Sequence, residues 1–466
     1  MNAPVLYIVL PAVLGVILAV FNQNVRRNRI ISIFTVILLA LLGLTLPAGT
    51  AVNFGSVTLK VSSSLSVLGR QFTITDADAP FIALMYALVG LWFLGSLVTD
   101  VSRWFFPVSL VFTSLLVAAL SSEVFLFAAP LILAAVILSI PLLSPPETIP
   151  GRGVIRYLVF QTLALPCILL AGYILTGFET GPSDSSQALL SAVLLGAGFA
   201  FLLGIFPFNT WLPQLMEEAP VYVTGFIMVV LPMSVFWLMI HFIDTYVWIR
   251  TNSNIYMVLR VAGILMVMVG SVWACFQRNL RRILAYAIML DTGYMLLAVG
   301  SGTLAGLQVL SANIMTRVLN IGLASLSLAF LMKDHPDLEI GKLKGVFIQY
   351  PFATSGFLTA LLSMAGLPLL ANFPLRVVLT GELGSGSPLI TGLAAAGGIG
   401  LVIAFGRILT GIHSPVGGKK FVLTENMLVI ILIAAGIVFN ILIALIPGIL
   451  LTPLGNLLNA FTRLPR

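Results

Sequence analysis

Charge is what this sequence has least of. Of its 466 residues only 8% are Asp, Glu, Lys or Arg, against roughly 25% in a soluble domain. A water-facing surface cannot be built from so little charge, so a soluble globular protein is excluded. Reactive and metal-binding side chains are scarce as well. The two cysteines, Cys167 and Cys275, each sit inside an apolar run without metal-ligand spacing, and read as small core residues. The three histidines show no pairing that would hold a haem. No redox cofactor and no metal are therefore expected. No basic stretch precedes the first apolar run, so no cleavable signal peptide is expected.

What the chain does have is apolar length. Hydrophobic residues make up 59% of it, with a mean hydropathy of +1.12. Runs this long read as membrane-spanning helices rather than a barrel, because each helix closes its own backbone hydrogen bonds where lipid offers no partner. The chain reads as an all-α integral membrane protein of about 14 transmembrane segments, from 4–21 to 426–452. The stretch 48–78 differs. It contains VTLKVSSSLSVLGRQFTIT, which alternates and is rich in Val, Thr and Ser, and predicts a small β-hairpin outside the membrane.

The net charge of +7 fits cytoplasmic loops better than nucleic acid, and no nucleic-acid partner is expected. Loops opposite the N-terminus hold Arg26, Arg27, Arg29, Arg103, Arg152, Arg156, Arg278, Arg281, Arg282, Lys333, Lys342, Lys344, Lys419 and Lys420. The N-terminal side holds only Lys60, Arg70, Arg250, Arg463 and Arg466. The excess of Lys and Arg marks the cytoplasmic side, so both termini and the hairpin are expected to face outward from a cytoplasmic (inner) membrane. A miscount by one span would even out this asymmetry.

Two segments are interrupted. The seventh (187–206) runs into GIFPFNTWLP, broken at Pro207. The twelfth (352–381) reads MAGLPLLANFPLRVVL, with Gly366, Pro368 and Pro374 inside it. The breaks lie five segments apart, which predicts two five-helix repeats, segments 4–8 and 9–13, in inverted orientation. Matched interrupted helices in inverted repeats point to an ion path near the membrane midplane; the alternative is that the prolines only kink helices for packing. The expected divisions are 1–103 with its hairpin, 104–243, 256–411 and a last segment and tail at 426–466. A further proline, Pro232, falls within the eighth segment and is read as another broken-helix element.

Pro207-Phe208-Asn209-Thr210-Trp211-Leu212-Pro213 followed by Glu218-Ala219-Pro220, Gln277-Arg278-Asn279-Leu280-Arg281-Arg282-Ile283-Leu284-Ala285-Tyr286, and Ala365-Gly366-Leu367-Pro368 resemble signatures of the antiporter-like membrane subunits. These are the proton-channel subunits of complex I (NADH:quinone oxidoreductase), with relatives in Mrp-type cation/proton antiporters and membrane-bound hydrogenases. A weaker match is Phe72-Thr73-Ile74-Thr75-Asp76. The resemblance covers about 70–450 and implies fourteen helices with two inverted repeats and broken helices 7 and 12. It also implies other membrane subunits as partners and proton translocation linked to quinone-coupled electron transfer.

The family pattern also implies a glutamate in helix 5, lysines in helices 7 and 8, and a lysine or glutamate in helix 12. Here the sequence departs. Glu123 stands only at the entrance of segment 5, and the helix 7 and 8 positions are Leu202 and Leu231. The helix 12 position is Arg376. Asn209 stands where the family has histidine, as does Asp291; Arg317 occupies a frequent lysine position. Asp291, Arg317, Arg376 and Asn209 are the ion-path candidates. Asp291 and the arginines either line a remnant hydrated path or pair and lock helices together; arginine keeps its proton and cannot easily relay it. Arg407 either snorkels toward the cytoplasm or pairs within the fold. His241 reads as an interface residue near the outer surface. Glu217 and Glu218 either meet arginines or lie in solvent.

The sequence thus predicts a membrane subunit of a complex I-like energy-converting assembly with impaired or atypical proton conduction. The alternatives are a purely structural subunit, or a partner in a cation/proton antiporter, membrane hydrogenase or inorganic-carbon uptake complex.

Overall fold

The computed structural model describes residues 2–45, 51–54, 57–60, 62–67, 69–123, 127–145, 149–175, 185–384, 386–412, 424–461 and 463–464. Lys419, Lys420 and Arg466, named above among the basic residues, lie outside the described residues, as do positions 48–50 of the expected hairpin region.

The long apolar runs form helices. Among the described residues nine are long and apolar enough to cross a membrane, and shorter apolar helices cover Val5–Val20, Ala79–Gly95, Phe105–Leu120, Ala128–Leu143 and Pro351–Ala365. The single hairpin expected at 48–78 is instead two. Ala51–Phe54 pairs antiparallel with Val57–Lys60, and Ser64–Val67 with Arg70–Thr73. The run is long enough for four short strands, and its small residues permit a second reversal that alternation alone does not reveal.

The chain forms two compact units. The first comprises residues 1–203, 230–250 and 459–462, the second 204–229, 251–458 and 463–466. In the first, Phe81 stacks on Trp237 with centroids 3.9 Å apart, and Trp237 also meets Phe461. In the second, the Leu280–Gly300 helix is the central rod, 94% buried over its apolar window. It packs tightly on Ser253–Phe276. A Cβ added at Gly263 would stand 2.8 Å from the Gly293 carbonyl oxygen, and one at Gly293 would stand 2.7 Å from that of Gly263. Small residues let membrane helices approach this closely and gain dispersion contacts.

Both predicted breaks are present. The Ser185–Leu203 helix stops, Gly204 turns with φ +60°, and the chain restarts as Trp211–Glu218 beyond Pro207. The Pro351–Ala365 helix ends at Gly366, whose φ of +81° suits glycine alone. The Leu367 amide donates to the Leu362 carbonyl and the Gly366 amide to Ser363, a Schellman closure. The chain resumes as Asn372–Gly384, with Pro374 in its first turn. Pro232 is different: expected as a break, it sits inside the continuous Val221–Thr245 helix. A proline is tolerated there when the carbonyl it strips of a partner is used elsewhere, and the site below uses it.

Amides freed at the second break also need partners. Asn440, fully buried, accepts the Ala371 N–H at 2.9 Å through Oδ1. Its Nδ2 donates to Asn320 at 2.7 Å, and Asn320 donates to Asn372 at 3.2 Å. Three side-chain amides thus fix the unwound stretch. Asn440→Leu strands the Ala371 N–H and the Asn320 oxygen, so a loss of about 1–3 kcal/mol is expected. Thermal melting of the purified chain checks this; an unchanged midpoint would show that the chain of amides does not hold the break.

Candidate functional site

Asp291 lies mid-way along Leu280–Gly300 and Arg317 mid-way along Leu304–Leu331. Their side chains are each 1% exposed, and Arg317 Nη1 stands 2.6 Å from Asp291 Oδ2. Arg317 Nη1 also reaches Thr292 Oγ1 at 3.2 Å. Its Nε and Nη2 donate to the Met228 carbonyl at 3.3 and 3.0 Å. Met228 lies four residues before Pro232, so its carbonyl is the one that proline deprives of a helical N–H. The other carboxylate oxygen, Oδ1, accepts from Asn313 Nδ2 at 3.3 Å, and Asn313 in turn accepts from Thr316. Both oxygens of Asp291 are therefore engaged.

Arg376, in Asn372–Gly384, lines a cavity together with Asp291. Its guanidinium covers the Tyr294 ring, 3.3 Å from the centroid, a cation–π contact. Nη2 donates to the Met364 carbonyl at the end of the preceding half-helix. Nη1 is buried without a hydrogen-bond partner. Asp291, Tyr294, Asn313, Asn372 and Arg376 line a cavity of ≈ 10 Å³, about the room of one water molecule.

The other candidates lie apart from this group. Asn209 is buried and its amide meets the sulfur of Met289. Arg407 donates through Nη1 to the Cys275 and Gln277 carbonyls. It thereby caps the C-terminal end of Ser253–Phe276, where a cation meets the negative end of the helix dipole. His241 lies edge-on to Phe461, 5.6 Å between centroids. Glu217 pairs with Arg282 at 2.5 Å while both remain partly exposed; Glu218 follows it, exposed, at the helix end. In the first unit Leu202 is 4% and Leu231 1% exposed. A cavity of ≈ 10 Å³ at Leu202 is walled by Ala129, Ile132, Leu133, Ala164, Leu165 and Ile168, with Gln161 its one polar lining residue. Gln161 donates to the Leu202 carbonyl at 3.0 Å.

The Gln277–Tyr286 stretch is a structural corner. Asn279 caps the Leu280–Gly300 helix by accepting the Arg281 N–H at 2.9 Å, and donates to the Asp337 carbonyl. Asp337 in turn holds Lys342 at 2.7 Å. That hydrogen bond and charge keep the Asp337 carboxyl below the usual carboxylate range and the Lys342 ammonium above its own.

Residues 154–400 match the family model described as NADH:quinone oxidoreductase/Mrp antiporter, transmembrane. The chain belongs to this family. It is 29% identical over 235 residues to NADH-quinone oxidoreductase subunit N of Acinetobacter baumannii, covering 47% of each chain. It is 28% identical over 360 residues to NADH-quinone oxidoreductase subunit 14 of Thermus thermophilus, covering 74% of this chain and 79% of the relative. The chain spans about half the length of several curated relatives it matches. Among solved structures, a chain of the Mrp complex from Dietzia sp. superposes with a TM-score of 0.78 at 15% identity, covering 98% of this chain and 97% of that one. At that identity the likeness speaks to the fold.

The sequence reading missed several polar groups of this family member. Asn313, Asn320, Asn372, Asn440 and Gln161 each stand in an apolar run, which was the available signal: a buried amide in lipid needs a partner. Arg260, inside Ser253–Phe276, is a further basic residue within a membrane segment. Arg317→Met removes the ion-pair partner of the buried Asp291, so a loss of about 3–5 kcal/mol is expected. Adding Asp291→Leu should recover much of it. Melting of the two variants checks this; a single variant as stable as the parent would mean the pair contributes nothing.

Proposed function

We propose that this chain is a membrane subunit of a complex I-like energy-converting assembly, held beside other membrane subunits in the cytoplasmic membrane with both termini outward. In this reading residues 104–243 and 256–411 are inverted repeats around interiors that no longer relay protons in the family's manner. The family membership supports the assembly. The observation that carries the conduction reading is the closed Asp291–Arg317 pair, with Met228, Thr292 and Asn313 meeting the remaining polar atoms.

A relay needs a group that takes up and releases a proton near working pH. Arginine does not release one, and both oxygens of Asp291 are held, one by Arg317 and one by Asn313. In the first unit the lysine-equivalent positions Leu202 and Leu231 are buried leucines, and a leucine has no proton to pass. The pair therefore acts as a fixed strut, joining two helices to the carbonyl released by Pro232. A cation exchanger would need a carboxylate open to a cavity. Asp291 does line one, but both its oxygens are engaged.

Asp291→Asn in the reconstituted assembly is expected to lower thermal stability and leave proton flux per assembled complex unchanged. A clear fall in flux at full assembly would make Asp291 a relay and end the proposal. Leu202→Lys tests the first unit. A cavity this small and apolar should reject the lysine, seen as poor folding yield, whereas a well-folded variant that raises flux would show a path still open there.

A further inference from the structure

Two stretches of the first unit, 21–29 and 96–104, meet at one end of its helices. Arg29 Nη1 donates to the Ser96 carbonyl at 3.4 Å, and the same guanidinium stands 6.0 Å from the centroid of Phe106. Together the stretches hold four arginines, Arg26, Arg27, Arg29 and Arg103, against one acid, Asp100. Loop cations of the second unit are answered: Arg282 meets Glu217, and Lys342 meets Asp337 and Glu339. Among the described residues none of the four arginines has an ion-pair partner.

Their placement adds to the imbalance. Arg26, Arg27 and Arg29 lie in the first turns of the Val25–Thr45 helix, where the positive end of the dipole disfavours a cation. Arg27 gives one N–H to the Phe21 carbonyl, which leaves the rest of its fork available. Arg29 Nε and Trp104 Nε1 are buried N–H groups without an acceptor. Water alone can satisfy exposed arginines, so the adjoining surface decides what kind of anion fits. Ile30, Phe34 and Leu38 are exposed on Val25–Thr45, Phe34 by 68%. Spaced four apart, they share one face of the helix. This apolar strip starts within a turn of the arginines, which matches the form of a phospholipid: phosphate at the cations, acyl chain along the strip.

We propose that this corner binds the headgroup phosphate of one anionic phospholipid, with Arg26, Arg27 and Arg103 as its cations and Ile30 and Phe34 beneath an acyl chain. Guanidinium forks match phosphate oxygens bidentately, and basic clusters beside a membrane helix attract anionic lipid. The bound lipid fastens the start of Val25–Thr45 to the 96–104 loop. The site rests on the membrane character of the chain and stands whether or not protons cross the subunit.

The full chain, purified in detergent, is melted with added phosphatidylglycerol, with phosphatidylcholine of the same acyl chains, and with inorganic phosphate. The expected result is a midpoint that rises with phosphatidylglycerol concentration above its dissociation constant, and rises more than with either of the others. Arg26→Gln/Arg27→Gln/Arg103→Gln should weaken phosphatidylglycerol binding roughly a hundred-fold, about fivefold per arginine. Arg278→Gln/Lys344→Gln, two exposed cations of the second unit, should leave it unchanged. Equal shifts with the two lipids, or a shift that survives in the triple variant, would overturn the site. A phosphatidylglycerol shift no larger than that of inorganic phosphate would make it a free-phosphate site. No response to phosphatidylglycerol would refute the lipid and leave an acidic segment of a neighbouring subunit as the occupant. If the triple variant fails to fold, phosphatidylglycerol with a diazirine in its acyl chain decides on the parent. Label on peptides from 20–41 or 96–106 supports the site; label only elsewhere refutes it.

Discussion

The guanidinium of Arg317 is 1% exposed, and its position dictates much of what surrounds it. In a medium without water each of its N–H groups must find an acceptor, and an unpaired charge there would cost several kcal/mol. The fold meets this with groups from two neighbouring helices. Asp291 comes from the central rod, Thr292 from the same turn, and the Met228 carbonyl from the helix that contains Pro232. The last is a reciprocal arrangement. Proline releases a carbonyl that would otherwise be stranded, and arginine needs one more acceptor. Either residue without the other would leave an unsatisfied group in the core.

The same accounting explains the second break. Unwinding a helix in a membrane exposes backbone groups that lipid cannot satisfy. Gly366 closes the first half-helix, Asn440 takes up the Ala371 N–H, and Arg376 reaches back to the Met364 carbonyl. Here the polar side chains serve the backbone before they serve any ligand. The first unit shows another economy: near Leu202 it holds one amide, Gln161, set on a backbone carbonyl within an apolar wall. Lysine there would need room and partners that this wall does not supply.

Several features could be read from residue order because they follow from short-range chemistry. Long apolar runs specify helices, a paucity of charge specifies the membrane, and Pro207 and Gly366 mark where helices must end. The stretch around Asn279 was legible only as a family resemblance, although its side-chain cap acts over a few residues. Misreadings arose where a local rule had more than one outcome. Pro232 looks like a break until a distant arginine is seen to take the released carbonyl. The 48–78 region looks like one hairpin because alternation gives strands but not the number of reversals.

By itself, then, the sequence determined the class of solvent, the helical architecture, the sites of helix interruption and the absence of lysine from the apolar segments. Each of these depends on residues near one another in the chain. Only the tertiary structure decided that Asp291 takes Arg317 rather than Arg376, that Arg407 caps a helix more than a hundred residues away, and that Asn320, Asn372 and Asn440 join. Pairing of buried charges and amides depends on which helix faces come into register. That register is set by the summed packing of glycine contacts, prolines and apolar side chains across the whole unit, and no local stretch of sequence contains it.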